Sequence, residues 1–114
     1  MADRDAARSL DLLQGTLDVL VLKALTLGPM HGFGVARWIK QRTRDVLAIE
    51  DAPMYKSLHR LERDGFVEAE WGYSENNRRA RFYQLTPQGR KRLRAEAATW
   101  RRYAEAVFRV LGTA

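Results

Sequence analysis

Positively charged side chains dominate the part of the sequence best suited to binding a ligand. Between Asn76 and Arg92 there are six basic residues and no acidic one. They are Arg78, Arg79, Arg81, Arg90, Lys91 and Arg92. Such a run can neutralise the phosphates of a nucleic acid, although a single charged run is more often a solvated surface. The run alone does not distinguish a nucleic-acid site from a solvated surface. The secondary structure predicted around it makes that distinction.

A short helix with a basic face precedes this run. Met54, Leu58 and Leu61 recur at i, i+4 and i+7, which predicts one apolar stripe on a helix. We expect Asp51 to cap its start and Gly65 to end it. Its other side chains could meet base edges or phosphates in a major groove. The candidates are Tyr55, Lys56, Ser57, His59 and Arg60.

A hairpin is expected directly after this helix. Residues 67–73 alternate between apolar and polar types, which predicts a half-buried strand, and residues 81–85 form a second one. The polar loop over 74–80 lies between them. The candidates there for contacts to phosphates or the minor groove are Asn76, Asn77, Arg78, Arg79 and the adjacent Arg81. A basic-faced helix followed by a hairpin with a basic tip predicts a winged helix and favours binding to double-stranded DNA.

Two helices are expected before this pair of elements. Apolar spacing predicts a core helix over 15–27, ended by Gly28-Pro29, and a second helix over 34–42 after a turn at 30–32. Ser9 to Leu13 could begin a further helix. The apolar segment 46–49 is expected to run extended beside the hairpin, and Trp38 and Trp71 are expected to pack.

The last helix carries a second kind of signal. Thr86 as N-cap and Pro87 in the first position predict its start, and it runs to about residue 111. Its apolar residues are spaced 4, 3, 4, 3 and 4, a heptad pattern that predicts a partner helix, most simply from a second copy in a two-fold dimer. The residues of this seam are Leu93, Ala97, Trp100, Ala104, Val107 and Leu111.

Trp100 allows two interpretations. It can be a core residue of the dimer seam, or it can form the wall of a flat apolar slot for a small aromatic ligand, built from paired aromatics of two subunits.

Length and composition limit the function classes. A chain of 114 residues predicts one mainly α-helical unit with a β-hairpin, with residues 1–86 as an N-terminal segment and winged helix and residues 87–114 as a dimerisation helix. The net charge of +6 favours an anionic partner. There is no cysteine, no apolar leader and no run long enough to cross a bilayer, so we expect a cytoplasmic protein without a membrane partner.

Catalysis is not expected. The two histidines, His31 and His59, lie far apart and lack neighbouring residues at metal-ligand spacing. His31, in a glycine-rich turn, is expected to be a structural hydrogen-bonding residue. No phosphate loop, dinucleotide fingerprint or nucleophile elbow occurs. The sequence therefore predicts no enzyme, no metal site and no cofactor.

These features together resemble the PadR family of bacterial transcriptional regulators, over most of the chain. The resemblance is carried by short motifs along the whole sequence. They are Gly15-Thr16-Leu17, His31-Gly32-Phe33, the set Tyr55, Leu58, Arg60 and Leu61, then Glu70-Trp71, Asn77-Arg78-Arg79, Tyr83, Leu85-Thr86 and Gly89. The resemblance implies a winged-helix homodimer that dimerises through its last helix and binds an inverted-repeat operator, usually as a repressor. In relatives of this kind a phenolic or drug-like compound can release the DNA.

One segment departs from the family pattern. Where the family has a hydroxyl residue at position 53 and a proline at position 56, this chain has Pro53 and Lys56. Pro53 has no N–H to donate to a phosphate, and the acids Glu50 and Asp51 lie next to it. The alternative hypothesis is therefore a protein-interaction module that dimerises through its last helix and whose DNA binding has weakened.

Overall fold

Four α-helices and a three-stranded antiparallel sheet make up residues 15–112, the part of the chain that the structure, a computed structural model, describes. In chain order the elements are α1 (15–24), β1 (Met30–His31), α2 (Gly32–Arg42), α3 (Asp51–Arg63), β2 (Val67–Tyr73), β3 (Arg79–Leu85) and α4 (Pro87–Leu111). The predicted helix start at Ser9 to Leu13 lies outside the described residues.

The first helix provides one wall of the core. Its buried side chains, among them Leu17, Val21 and Leu22, recur at helical spacing. The helix tightens into a 3-10 turn at Leu25–Leu27 and stops at Gly28, whose φ of 134° suits glycine far better than any other residue. This confirms the predicted core helix and its end at Gly28-Pro29.

A short strand replaces the predicted turn at 30–32. Met30–His31 forms β1, which pairs with β3, so the sheet order is β1-β3-β2. His31 also caps α2, because its Nδ1 atom accepts a hydrogen bond of 3.0 Å from the backbone N–H of Gly34. The prediction of a structural hydrogen-bonding role for His31 is confirmed, and α2 begins at Gly32, two residues earlier than predicted.

The apolar segment 46–49 does not join the sheet. Residues 47–50 have no regular secondary structure, although Leu47 and Ile49 pack half-buried against the core. Both edges of β3 are already paired, one with β1 and the other with β2. The segment 46–49, which was expected to run extended beside the hairpin, therefore forms no strand of the sheet.

The start of α3 differs from the prediction, whereas its end agrees with it. Glu50, and not Asp51, occupies the N-cap position, and no side chain caps the helix there. At the other end the N–H of Gly65 bonds the carbonyl of Glu62, and the N–H of Phe66 bonds the carbonyl of Leu61. Gly65 has a φ of 81°, so the helix ends in a Schellman motif that glycine allows.

The hairpin is longer than predicted and only partly buried. β3 begins at Arg79, and β2 and β3 pair from Val67 with Leu85 to Tyr73 with Arg79. Near the base Val67, Tyr83 and Leu85 are buried in the core. The period-2 pattern of β2 continues to its end, but on the face of Val67 and Ala69 the next residues, Trp71 and Tyr73, are exposed.

The last helix begins with the predicted cap. The Thr86 hydroxyl accepts a hydrogen bond of 3.0 Å from the N–H of Gly89, and Pro87 follows the cap. Gly89 is buried against the hairpin base, where a Cβ atom would collide with the carbonyl oxygen of Phe66. From there α4 runs 25 residues, and most of its later side chains are exposed.

Candidate nucleic-acid interface

The exposed face of α3 is narrower than the sequence indicated. Met54, Leu58 and Leu61 are buried as predicted. On the opposite side Tyr55, which is 51% exposed, lies beside His59, with 6.4 Å between the two ring centres. Lys56 is also exposed. This face offers a phenol hydroxyl, an ammonium and an imidazole, which are all groups able to bond bases or phosphates.

Ser57 and Arg60 face a carboxylate of α1. The Ser57 hydroxyl is fully buried and donates a hydrogen bond of 2.6 Å to Oδ1 of Asp18. The Arg60 guanidinium bonds the same oxygen at 2.7 Å, so the two helices are joined by three groups. Ser57 was predicted to face DNA, and its burial corrects that prediction. Arg60 is only partly available, because its charge is already paired.

The opposite flank of α3 is held by the sheet. Arg81 on β3 bonds the Glu62 carboxylate at 2.8 Å, and its guanidinium lies 6.0 Å from the centre of the Tyr83 ring. Burial raises the pKa of the Tyr83 hydroxyl above its ordinary value of 10.0; the positive charge of Arg81 opposes this rise, and Glu62 adds to it. Arg81 was predicted to contact DNA, and the structure places its guanidinium on α3.

The tip of the hairpin presents polar and basic side chains on a defined turn. The N–H of Asn77 bonds the carbonyl of Ser74 at 2.8 Å, and the N–H of Ser74 bonds the carbonyl of Arg78 at 2.8 Å. Asn77 has a φ of 58°, which asparagine tolerates better than most residues. Four of the predicted contact residues are exposed at this tip: Asn76, Asn77, Arg78 and Arg79.

Trp71 lies beneath one of these arginines. The Arg79 guanidinium carbon is 4.5 Å from the centre of the Trp71 ring, a cation–π distance. Both tryptophans were expected to pack: Trp38 packs against the core, whereas Trp71 is 59% exposed and contacts Arg79 outside the core. The sequence alternation identified the face on which Trp71 lies but could not show where the core beneath that face ends.

The basic run predicted as one feature is divided by the fold. Arg78, Arg79 and Arg81 lie on the hairpin, whereas Arg90, Lys91 and Arg92 lie in the first turns of α4. β3 runs from Arg79 to Leu85, so Arg79 at its first residue lies about 20 Å from the end of the strand where α4 begins, at the usual rise of a strand. Seven of the 20 basic residues lie in α4 and only two acidic ones, so much of the net charge sits away from α3 and the hairpin tip.

An open groove of about 1110 Å³ separates α1 from α4. Its lining is mainly apolar and includes Leu20, Leu47, Ala97 and Trp100. The indole N–H of Trp100 donates a hydrogen bond of 2.9 Å to the hydroxyl of Thr16 on α1, while 43% of the side chain stays exposed. Trp100, which was predicted to contact a partner helix or a ligand, therefore borders a groove that is large enough for either.

The remaining seam residues are unevenly covered. Leu93 packs against the core from its edge. Ala97, Ala104 and Val107 are half-buried, and Leu111 is 72% exposed. Other apolar side chains near the C-terminal end of α4 are also exposed, namely Tyr103, Phe108 and Val110. This helix therefore presents an apolar face for which the described chain supplies only partial cover.

Two features are absent from the part of the chain that the structure describes. Over residues 15–112, no three His, Asp or Glu side chains cluster closely enough to hold a metal ion. Within that same range no helix combines the length and apolar character that a membrane span requires.

The helix pair α2–α3, followed by a β-hairpin whose tip is basic, defines a winged helix-turn-helix protein. Residues 21–95 match the model of the Transcriptional regulator PadR-like family, so the chain belongs to that family. Regulation of transcription is the function of the family, and the resemblance drawn from the motifs is confirmed.

Solved structures agree with this assignment. A PadR family transcriptional regulator from Eggerthella lenta is 27% identical, with a TM-score of 0.78 over 99% of this chain and 96% of that one. A transcriptional regulator from Clostridium thermocellum is 24% identical, with a TM-score of 0.81 over 90% of this chain and 99% of that one, and shows the shared fold. An uncharacterised protein of Lysinibacillus sphaericus is 25% identical over 97 residues, 85% of this chain and 89% of the relative.

Proposed function

We propose that this regulator is a homodimeric repressor that binds a pseudo-palindromic operator in double-stranded DNA. In each subunit α3 enters a major groove with Tyr55, Lys56 and His59, and the hairpin tip contacts the adjacent backbone or minor groove. The observation that carries the proposal is the fastening of α3 on both flanks, by Asp18 on one side and by Arg81 on the other. A helix so held presents its exposed face in one orientation, as base recognition requires.

The apolar face of α4 supports a dimer. Trp100 and Leu111 in the heptad seam are exposed, and so are Tyr103 and Phe108 beside it. A second copy of α4 would cover these side chains, and the two-fold axis would set two α3 helices about 34–36 Å apart on successive turns of DNA. The solution mass measures this directly. A concentration-independent monomer would remove the basis for a palindromic operator.

The groove beside Trp100 supports an effector site. A small planar aromatic compound fits a mainly apolar space of about 1110 Å³ that ends at an indole ring. Binding there would change how α1 and α4 pack and so reach α3 through Asp18, which lies two residues from Thr16 on α1. Titration of planar aromatics with tryptophan fluorescence, compared with Trp100→Phe protein, tests the site. If both proteins show the same fluorescence change on titration, Trp100 is not part of the effector site.

Such a protein acts by binding and not by catalysis, and we place it in the cytoplasm with the DNA it regulates. No cofactor is needed for the proposed activity. Repression follows from occupancy, because a dimer bound across a promoter excludes the polymerase.

Salt-dependent binding tests the proposed function. Purified protein is titrated onto a random duplex and onto DNA from upstream of its own gene. Tight, salt-sensitive binding that prefers the upstream DNA is the expected result. Weak binding to both, at low salt as well, would contradict a DNA-binding function.

A second candidate function rests on the start of α3. Glu50 and Asp51 are both exposed there, no side chain caps the helix, and Pro53 lacks an N–H. Two carboxylates at this end would repel a phosphate, so the chain could instead use α4 to bind a helix of a different protein. Replacing both Glu50 and Asp51 with Gln distinguishes the two candidate functions. Tighter DNA binding by that variant supports the regulator, and persistent lack of DNA binding supports the interaction module.

A further inference from the structure

The register of the hairpin assigns its side chains to two faces. Directly paired residues share a face, and every second residue along a strand returns to it. Val67 with Leu85 and Ala69 with Tyr83 are pairs on the face that enters the core. Trp71 with Arg81 and Tyr73 with Arg79 continue the same face beyond the core. We call these last four residues the inner wing face.

The two faces differ in charge. On the inner wing face there are two arginines and two aromatic rings, and Arg81 bonds Glu62 of α3, so this face lies on the side of α3. The opposite face carries Glu68 and Glu70, paired with Gln84 and Phe82. Arg81 is already paired with Glu62, so a phosphate backbone approaching α3 would meet the cation of Arg79 and two aromatic rings on this side of the hairpin. The carboxylates of Glu68 and Glu70 point to the other side.

Trp71 supports the most exposed cation of this face. Its ring lies 4.5 Å from the Arg79 guanidinium carbon, while 59% of Trp71 and 71% of Tyr73 remain exposed. Trp71 and Tyr73 are neighbours on one face of β2, and adjacent exposed aromatic rings of this kind are a common mark of a binding surface. A guanidinium resting on a ring keeps its N–H groups free at the edge, and its side chain loses less freedom when it meets a phosphate.

We infer that the inner wing face contacts the sugar–phosphate backbone of the DNA and that Trp71 is a positioning residue that holds Arg79 for this contact. The inference rests on the proposed function and adds Trp71 and Tyr73 to the interface. It also predicts that the hairpin contacts DNA along one side and not at its tip alone.

Three variants and a control test the inference with a short random-sequence duplex at low salt as the probe. Trp71→Ala should weaken binding about two- to fivefold, the range of an exposed cation–π contact. Arg79→Ala should weaken it at least as much, and adding Trp71→Ala to Arg79→Ala should cause little further loss, because the ring acts through the arginine. Glu70→Gln, on the opposite face, should not weaken binding. Each variant should keep the wild-type unfolding transition, since the side chains are exposed.

A fluorine NMR measurement at Trp71 complements the binding constants. Protein labelled with 5-fluorotryptophan gives a separate fluorine resonance for Trp71, assigned with Trp71→Phe, which should shift when the duplex is added while that of Trp38 stays in place. If wild-type protein binds the duplex but Trp71→Ala binds equally well and the Trp71 resonance does not move, the inference is wrong and the proposed function stands. If wild-type protein does not bind the duplex, both fail.

Discussion

Removal of the Asp18 carboxylate should destabilise the protein, because the buried Ser57 hydroxyl then has no hydrogen-bond acceptor. In Asp18→Ala protein the Ser57 hydroxyl, fully buried, loses its 2.6 Å acceptor, and Arg60 loses its ion pair. A buried polar group without a partner costs about 1–3 kcal/mol. The ion pair adds about 0.2–1 kcal/mol, because both side chains are about a third exposed and screened by water. We therefore expect a loss of about 2 kcal/mol in the free energy of unfolding.

A second substitution makes this prediction specific. Ser57→Ala alone removes the donor and leaves Asp18 bonded to Arg60, so it should cost only about 1 kcal/mol. The double variant Asp18→Ala/Ser57→Ala has no orphaned hydroxyl. It should therefore be more stable than Asp18→Ala, although it carries one more substitution, by roughly 1 kcal/mol.

Urea denaturation followed by circular dichroism measures all three variants. Glu96→Ala is the matched control, since it removes a carboxylate from a surface pair with Arg92 on α4 and should change stability by less than about 0.5 kcal/mol. If the double variant is less stable than Asp18→Ala by the full cost of Ser57→Ala, the two sites act independently. The hydrogen bond would then not be what holds α3 to α1.

Three further predictions concern the hairpin and its junction with α4. Gly89→Ala should destabilise the protein by about 2 kcal/mol or more, because its Cβ would meet the Phe66 carbonyl; a thermal midpoint like that of the wild type would contradict this packing. Asn77→Val should cost about 1 kcal/mol and Asn77→Gly almost nothing, since φ is 58° there; equal losses in thermal scans would refute the turn geometry. The raised pKa of Tyr83 contributes stability that is complete below pH 10 and lost as pH rises through the folded value, so Tyr83→Phe should flatten the alkaline stability profile; an unchanged profile would show that another group is responsible.

The elements that the sequence predicted well are those with a local signal. Thr86, Pro87 and the heptad seam mark α4, and the spacing of Met54, Leu58 and Leu61 marks α3. These signals depend on residues a few positions apart, and the backbone conformations they favour are retained in the fold. A strand of only two residues has no period to detect, so the sequence predicts a turn where the structure has β1.

The side chains that fasten the candidate site could not be predicted from local patterns. Asp18 meets Ser57 and Arg60 across 39 and 42 residues of sequence, and Glu62 meets Arg81 across 19. One signal did exist: Asp18 lies four residues before Leu22 and seven before Leu25, so it is an acid on the apolar stripe of a core helix. An acid in that position predicts a partner, but only the fold identifies the partner.

Which residues of α3 are exposed for contact also depends on the tertiary packing around the helix. Ser57 lies three residues after Met54 and four before Leu61, so helical spacing places it at the edge of the apolar stripe, whereas Lys56 points away from that stripe. This spacing is the signal that separates Ser57 from Lys56, but the partner that buries Ser57 comes from outside the helix. The packing of α1 against one flank of α3 buries Ser57 and leaves Lys56 exposed.

The measurement that tests the account most directly is the salt dependence of duplex binding by wild-type protein and by the double variant Arg78→Ala/Arg79→Ala. Fluorescence anisotropy gives the binding constant at several salt concentrations. If the hairpin tip neutralises two phosphates, the variant should bind more weakly, and the slope of log K against log salt should become shallower by about two. An affinity and a slope equal to those of the wild-type protein would show that neither arginine contacts a phosphate and would contradict the proposed interface.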